Sequence, residues 1–204
     1  MQGLAHQLIA GIATGGIYAS VALALVMIYQ STHHLNFAQG EMATFSTYIA
    51  LTLIQVGLPY WVAFAATLVI SFGIGVFIER IMLRPMHNAS VLANVGVFIG
   101  LLLVFRNAMG WMFDYTIKSF PSPFESDTPL LGGLISGHEL GSTMVTLVVL
   151  GLVYVFFRFT KLGLAMRAAA FNASSSKLVG IRVGWMLARG WGLAAASGAI
   201  AGMM

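Results

Sequence analysis

Cysteine is absent from the 204-residue sequence, which excludes disulfides and thiolate metal sites. Charge is nearly as scarce. Only 8% of residues are charged, where an ordinary soluble domain carries about 25%. So few charges cannot cover the surface of a soluble domain of this size, whereas a chain dissolved in lipid does not need them. The five histidines are scattered apart from His33-His34, and no metal-ligand spacing stands out. The patterns of soluble enzymes are missing too. There is no Gly-x-x-x-x-Gly-Lys-Ser/Thr loop for ATP, no nucleophile elbow and no His-Glu-x-x-His. No catalytic residue, metal or cofactor is therefore expected on this chain. Low-complexity segments and internal repeats are also lacking.

What fills the chain is apolar. Hydrophobic residues make up 59%, gathered in long uncharged runs. Residues 8–29 form the first, which at 1.5 Å per residue covers the ~30 Å hydrocarbon core. It lacks a basic flank and is long enough to span, so no cleavable signal peptide is evident. Residues 42–78 are too long for one span, and Gly57-Leu58-Pro59 divides them in two. Residues 88–105, 140–157 and 190–204 complete the set. The expected fold class is all-α: a polytopic transmembrane helix bundle of about six spans in a single domain, residues 1–204, with the last span incomplete.

The net charge of +4 does not point to nucleic acid, because the bases sit in short connections between apolar runs. That is how a membrane protein marks its cytoplasmic side. Residues 158–189 hold six bases and no acid, which places the segment in the cytoplasm, with Arg80 and Arg84 marking a second cytoplasmic connection. Residues 114–141 hold Asp114, Glu125, Asp127 and Glu139 against one base, Lys118, together with Pro121, Pro123 and Pro129. They are expected to form a periplasmic loop. Arg106 and Asp114 read as anchors flanking a span end. Gly11-x-x-x-Gly15 and Gly198-x-x-x-Gly202 are small-residue pairs that let helix backbones approach closely in lipid.

Three segments stand out. In Asn36-Phe37-Ala38-Gln39-Gly40-Glu41, Asn36 and Gln39 have the spacing of a helix N-cap with a capping-box partner, and Glu41 is the only acid in the first 78 residues. Either the helix breaks here to line a cavity at membrane depth, or the patch is a cap at the membrane surface with Glu41 in water. Residues 160–185 are too long and too patterned for a plain connector. There Asn172 can cap a short helix and Gly180 can end it in a left-handed conformation. Leu178, Val179 and Lys177 then suit either a docking surface for a cytoplasmic partner or contact with anionic lipid. Glu79-Arg80-x-x-Leu83-Arg84-Pro85 reads as a basic anchor stopped by proline.

With these residues in place, the chain resembles the LivH-type permeases of ATP-driven branched-chain amino acid importers. The resemblance rests on four motifs in order. They are Gly15-Gly16-Ile17-Tyr18-Ala19, then Asn36 to Glu41, then Glu79, Arg80, Arg84 and Pro85, and last Gly163, Met166, Arg167, Ala168, Ala170, Asn172, Gly180 and Ile181.

The resemblance implies a permease subunit in a bacterial inner membrane, paired with a second permease subunit. Cytoplasmic ATPases bind the ATP, and a periplasmic binding protein delivers leucine, isoleucine or valine. Relatives carry urea or short amides. It implies ATPase coupling through the segment that holds Arg167, Asn172, Lys177 and Gly180. The polar patch itself makes Asn36, Gln39 and Glu41 the groups expected near the translocation path. Two departures are visible. Ala173-Ser174-Ser175-Ser176 stands where relatives carry an acid. Family members are also longer, so a chain ending at Met204 within an apolar run reads as a fragment. The alternatives are an ion-coupled secondary transporter with Glu41 as the coupling acid, and a non-transporting membrane scaffold.

Overall fold

The computed structural model describes residues 2–32, 35–86, 89–124 and 136–204. His33-His34, Glu125, Asp127 and Pro129 lie outside the described residues. Among those described there is no strand. The elements are α1 (Gln2–Thr32), α2 (Gln39–Gln55), α3 (Tyr60–Phe77), α4 (Val91–Phe113), α5 (Gly137–Phe159), α6 (Lys161–Phe171), α7 (Ala173–Leu178) and α8 (Val183–Met203). The chain is thus an all-α helical bundle.

Local chemistry explains most helix ends. Gly57 adopts φ 102 after α2, a conformation that costs glycine little. Pro59 then opens α3. Ser90 accepts from the Ala93 amide at the start of α4. Ser136 and Glu139 form a reciprocal capping box on α5, at 3.2 and 3.0 Å. Glu139, expected in the acidic loop, therefore belongs to the first turn of a helix, where a negative charge is favourable.

Every predicted apolar run is helical, but the charged residues do not bound the helices. Arg106 lies inside α4, which continues to Phe113. Its side chain points outward, so the helix passes it without burying the charge and Arg106 does not mark the span end. Likewise α8 begins at Val183, ahead of Arg189. Among the described residues, four segments are long and apolar enough to cross a membrane: Ala10–Gln30, Tyr60–Met86, Val91–Phe113 and Gly137–Phe159.

The α8 helix is built from small residues because it lies at the centre, packed against α1, α2, α3 and α6. A Cβ at Gly75 of α3 would overlap the backbone carbonyl of Trp191, and one at Gly192 would meet the Phe72 ring at 2.7 Å. Trp191 is fully buried and stacks on Phe98 with ring centroids 6.0 Å apart. Gly198 and Gly202 face Gln39, Ala43 and Thr47 of α2, so that small-residue pair is a packing face. Gly11 and Gly15 have no described atom within 4 Å of where a Cβ would sit, so among the described residues nothing packs on that pair. Large apolar side chains such as Val69, Leu103 and Leu152 remain outside, while many polar ones are inside. That arrangement suits lipid as solvent.

The packing defines two ends. At one, the Arg80 guanidinium sits 3.6 Å from the Trp185 ring centroid, and α6 and α7 lie against α8. At the other, the Tyr60 hydroxyl donates to the Met203 carbonyl at 3.2 Å, and the Tyr60 and Phe120 rings are 6.0 Å apart. The basic segments thus share one end, and Asp114 with Lys118 follows α4 towards the other.

Candidate translocation path and coupling segment

The polar patch before α2 folds differently from its spacing. Asn36 does not cap α2, whose N-cap position is Ala38 with no side-chain bond. Instead Asn36 Oδ1 accepts from the Ala38 amide at 3.0 Å, a local side-chain turn that competes with capping. Asn36 Nδ2 donates to Gln39 Oε1 at 3.3 Å, and Gln39 Nε2 donates to the Ala194 carbonyl at 3.1 Å. Both side chains are buried. Ala194 lies about 16 Å along α8 from Val183 at 1.5 Å per residue, so α2 starts within the depth of the bundle. Glu41 does not join them; it is partly exposed.

Beyond this pair, further polar side chains are buried within a largely apolar core. Ser71 of α3 donates to Ser46 of α2 at 2.8 Å, and Ser46 donates to the Met42 carbonyl at 2.8 Å. Thr67 of α3 and Ser197 of α8 are also buried. Among the described residues, Thr67 Oγ1 and Trp191 Nε1 have no hydrogen-bond partner. Buried polar groups are usually satisfied, and a row of hydroxyls and amides inside a bundle can offer hydrogen bonds to a polar solute.

Sequence reasoning also undervalued Glu79. It is fully buried within a π-helical turn, Ile78–Leu83, a feature frequent at functional sites. The usable signal was an acid directly after an uncharged run, since acids at membrane depth are rare.

The cytoplasmic-type segment is two helices. Thr160 caps α6, accepting from the Gly163 amide at 2.9 Å. Asn172 caps α7, accepting from the Ser175 amide at 2.9 Å, and Gly180 closes it at φ 83. Asn172, Lys177 and Gly180 therefore sit together, all exposed, while Arg167 projects from the preceding helix, α6. Phe171, Leu178 and Val179 are exposed at 95%, 89% and 76%, an apolar tip that would be costly in water without a covering surface. Phe171 was not singled out in the sequence. Beside α7 a cavity of about 520 Å³ is lined by Gly180, Ile181, Arg182, Trp185 and Arg189, with two positive charges and no acid.

Long apolar helices that enclose a minority of buried polar side chains define a multi-pass membrane protein. The sequence profile described as "Branched-chain amino acid transport system / permease component" matches residues 7–204, and the chain belongs to that family. It is 28% identical to the high-affinity branched-chain amino acid transport system permease protein BraD of Pseudomonas aeruginosa, over 98% of this chain and 69% of that protein. It is 27% identical to the LivH permease protein of Escherichia coli, over the same shares. A probable LivH permease protein of Methanocaldococcus jannaschii is 30% identical over 90% of this chain and 59% of its own length. No solved structure matches the chain.

Proposed function

We propose that this chain is a permease subunit of an ATP-driven importer of branched-chain amino acids in a bacterial inner membrane. The observation that carries the reading is α7: a short helix fixed at both ends by Asn172 and Gly180, with Phe171, Leu178 and Val179 exposed around it. A rigid apolar knob flanked by Lys177, Arg182 and Arg189 fits a groove on a partner protein better than a lipid surface, which needs no fixed geometry. The partner is a cytoplasmic ATPase that binds the ATP, so this chain needs no cofactor of its own. A second permease subunit completes the membrane core, and a periplasmic binding protein delivers substrate to the opposite end. The names of BraD and LivH supply the substrate class.

The test is co-purification with the ATPase subunits and ATP-dependent leucine uptake in proteoliposomes. Deleting residues 172–180 is expected to release the ATPase and abolish uptake. Retention of the ATPase after that deletion removes α7 from the coupling role. Uptake that continues without ATP and collapses with the ion gradient would replace this reading by an ion-coupled one.

A further inference from the structure

We propose that the cavity between the C-terminal ends of α2 and α4 binds a free amino acid as its zwitterion, with an apolar side chain. The proposal rests on the importer reading above and locates a substrate site for it on this chain. The cavity measures about 600 Å³ and is lined by residues that include Tyr48, Leu51, Trp111, Phe113, Asp114 and Lys118. That volume lies within the usual range for small-molecule sites.

Two opposite charges face one cavity, and among the described residues no ion pair joins Asp114 to Lys118. Charges left apart at a shared cavity suit a ligand that carries both signs. Asp114 offers a carboxylate to an ammonium group. The last carbonyls of α4, unpaired within the helix and at the negative end of its dipole, add to the same attraction. Lys118 offers its ammonium to a carboxylate. Part of the lining is apolar or aromatic: Tyr48 and Phe113 are stacked with centroids 5.0 Å apart, and Leu51 and Trp111 line the same cavity, beside the polar Thr52 and Gln55.

The backbone supplies an independent sign. Asp114 has φ 72 and ψ 162, a region kept almost wholly for glycine. It is the one non-glycine residue at positive φ among those described. Such strain persists where surrounding structure enforces it, and it clusters at ligand sites. Here the Tyr115 ring folds over Gly110, where a Cβ would overlap it. Asp114 Oδ1 accepts from the Tyr115 amide at 2.7 Å, holding the carboxylate at the rim. The cavity lies at the end of the bundle away from α7, where a substrate delivered from outside would first meet this chain.

Trp111 lines the cavity, so tryptophan fluorescence of the purified full-length permease in nanodiscs reads occupancy directly. The probes are L-leucine, leucinamide, which lacks the carboxylate, and 4-methylpentanoate, which lacks the ammonium. L-leucine is expected to shift the signal, and Trp111→Phe to remove that shift. Lys118→Gln should weaken leucine about tenfold or more while leaving leucinamide unchanged. Asp114→Asn should weaken leucine similarly and leave 4-methylpentanoate unchanged. Leucine binding that is equal in wild type and both variants, or no leucine binding at all, overturns the proposal. Leucine uptake by the assembled importer separates the two readings. Loss of ATP-dependent uptake in the wild type defeats the importer reading, whereas normal uptake by both variants defeats the cavity alone.

Discussion

Gln39 reaches the Ala194 carbonyl at 3.1 Å because Gly198, one turn further along α8, has no side chain in the way. The start of α2 is thereby tied to the central helix through a single amide. The contact joins residues 155 positions apart in the chain, and it fixes where α2 begins.

That dependence is measurable. A Cβ at Gly198 would meet Gln39 Nε2 closely, so Gly198→Ala is expected to destabilise the bundle by about 1–3 kcal/mol. Gln39→Ala removes the obstructed side chain. The double variant should therefore recover part of the loss, with a coupling of about 0.5 kcal/mol or more. Thermal unfolding in detergent checks this, and strictly additive losses would show that the two residues act independently.

A second pair on α3 gives an internal control. Gly75 packs on the Trp191 backbone, while Gly73 has nothing within 4 Å. Gly75→Ala must separate α3 from α8 and should cost about 1–3 kcal/mol. Gly73→Ala should be neutral or stabilise by about 0.5–1 kcal/mol through helix propensity. Equal effects on the unfolding midpoint would mean that α3 and α8 are not packed at Gly75.

Asn172 and Gly180 were legible in the sequence because capping and left-handed closure are local chemistry: a side chain three residues from an amide, a backbone that tolerates positive φ. The apolar runs were legible for the same reason. Their ends were not. A run of uncharged residues stops at Arg106 or Arg189, but a helix stops only where its backbone bonds do. Asn36 had a capping pattern yet bonds the Ala38 amide and Gln39 instead, because α8 claims Gln39. The π turn around Glu79 and the buried hydroxyls of Ser46 and Ser71 depend on which helices meet, and no local period encodes that.

The α7 cap makes a separable prediction. Asn172→Ala removes the acceptor for the Ser175 amide and should cost about 1 kcal/mol. The loss falls on a helix of 6 residues, so it should appear as faster hydrogen exchange over residues 173–178. The global midpoint should scarcely move. Asn172→Ser keeps a capping oxygen and should restore protection. ATP-driven uptake should follow the same order: wild type, then Ser, then Ala. Uptake unaffected by Ala would show that a folded α7 is not required for transport.

The absence of cysteine allows the direction of the bundle to be tested with single introduced thiols. Lys177 is exposed on α7, and Lys118 is exposed beyond α4, at opposite ends of the packed helices. The basic segments gather at the α7 end, and lysine and arginine mark the cytoplasmic side of membrane proteins. In intact cells, a membrane-impermeant maleimide that passes the outer membrane should therefore label Lys118→Cys and leave Lys177→Cys unlabelled. Inside-out vesicles should reverse the pattern. Neither position lies in a helix packing face, so the substitutions should leave the fold intact and the cysteine-free parent supplies the background. Labelling of both thiols from one side would mean that the two ends do not face opposite compartments. A reversed pattern would put α7 outside the cytoplasm, where no ATP-binding partner could reach it.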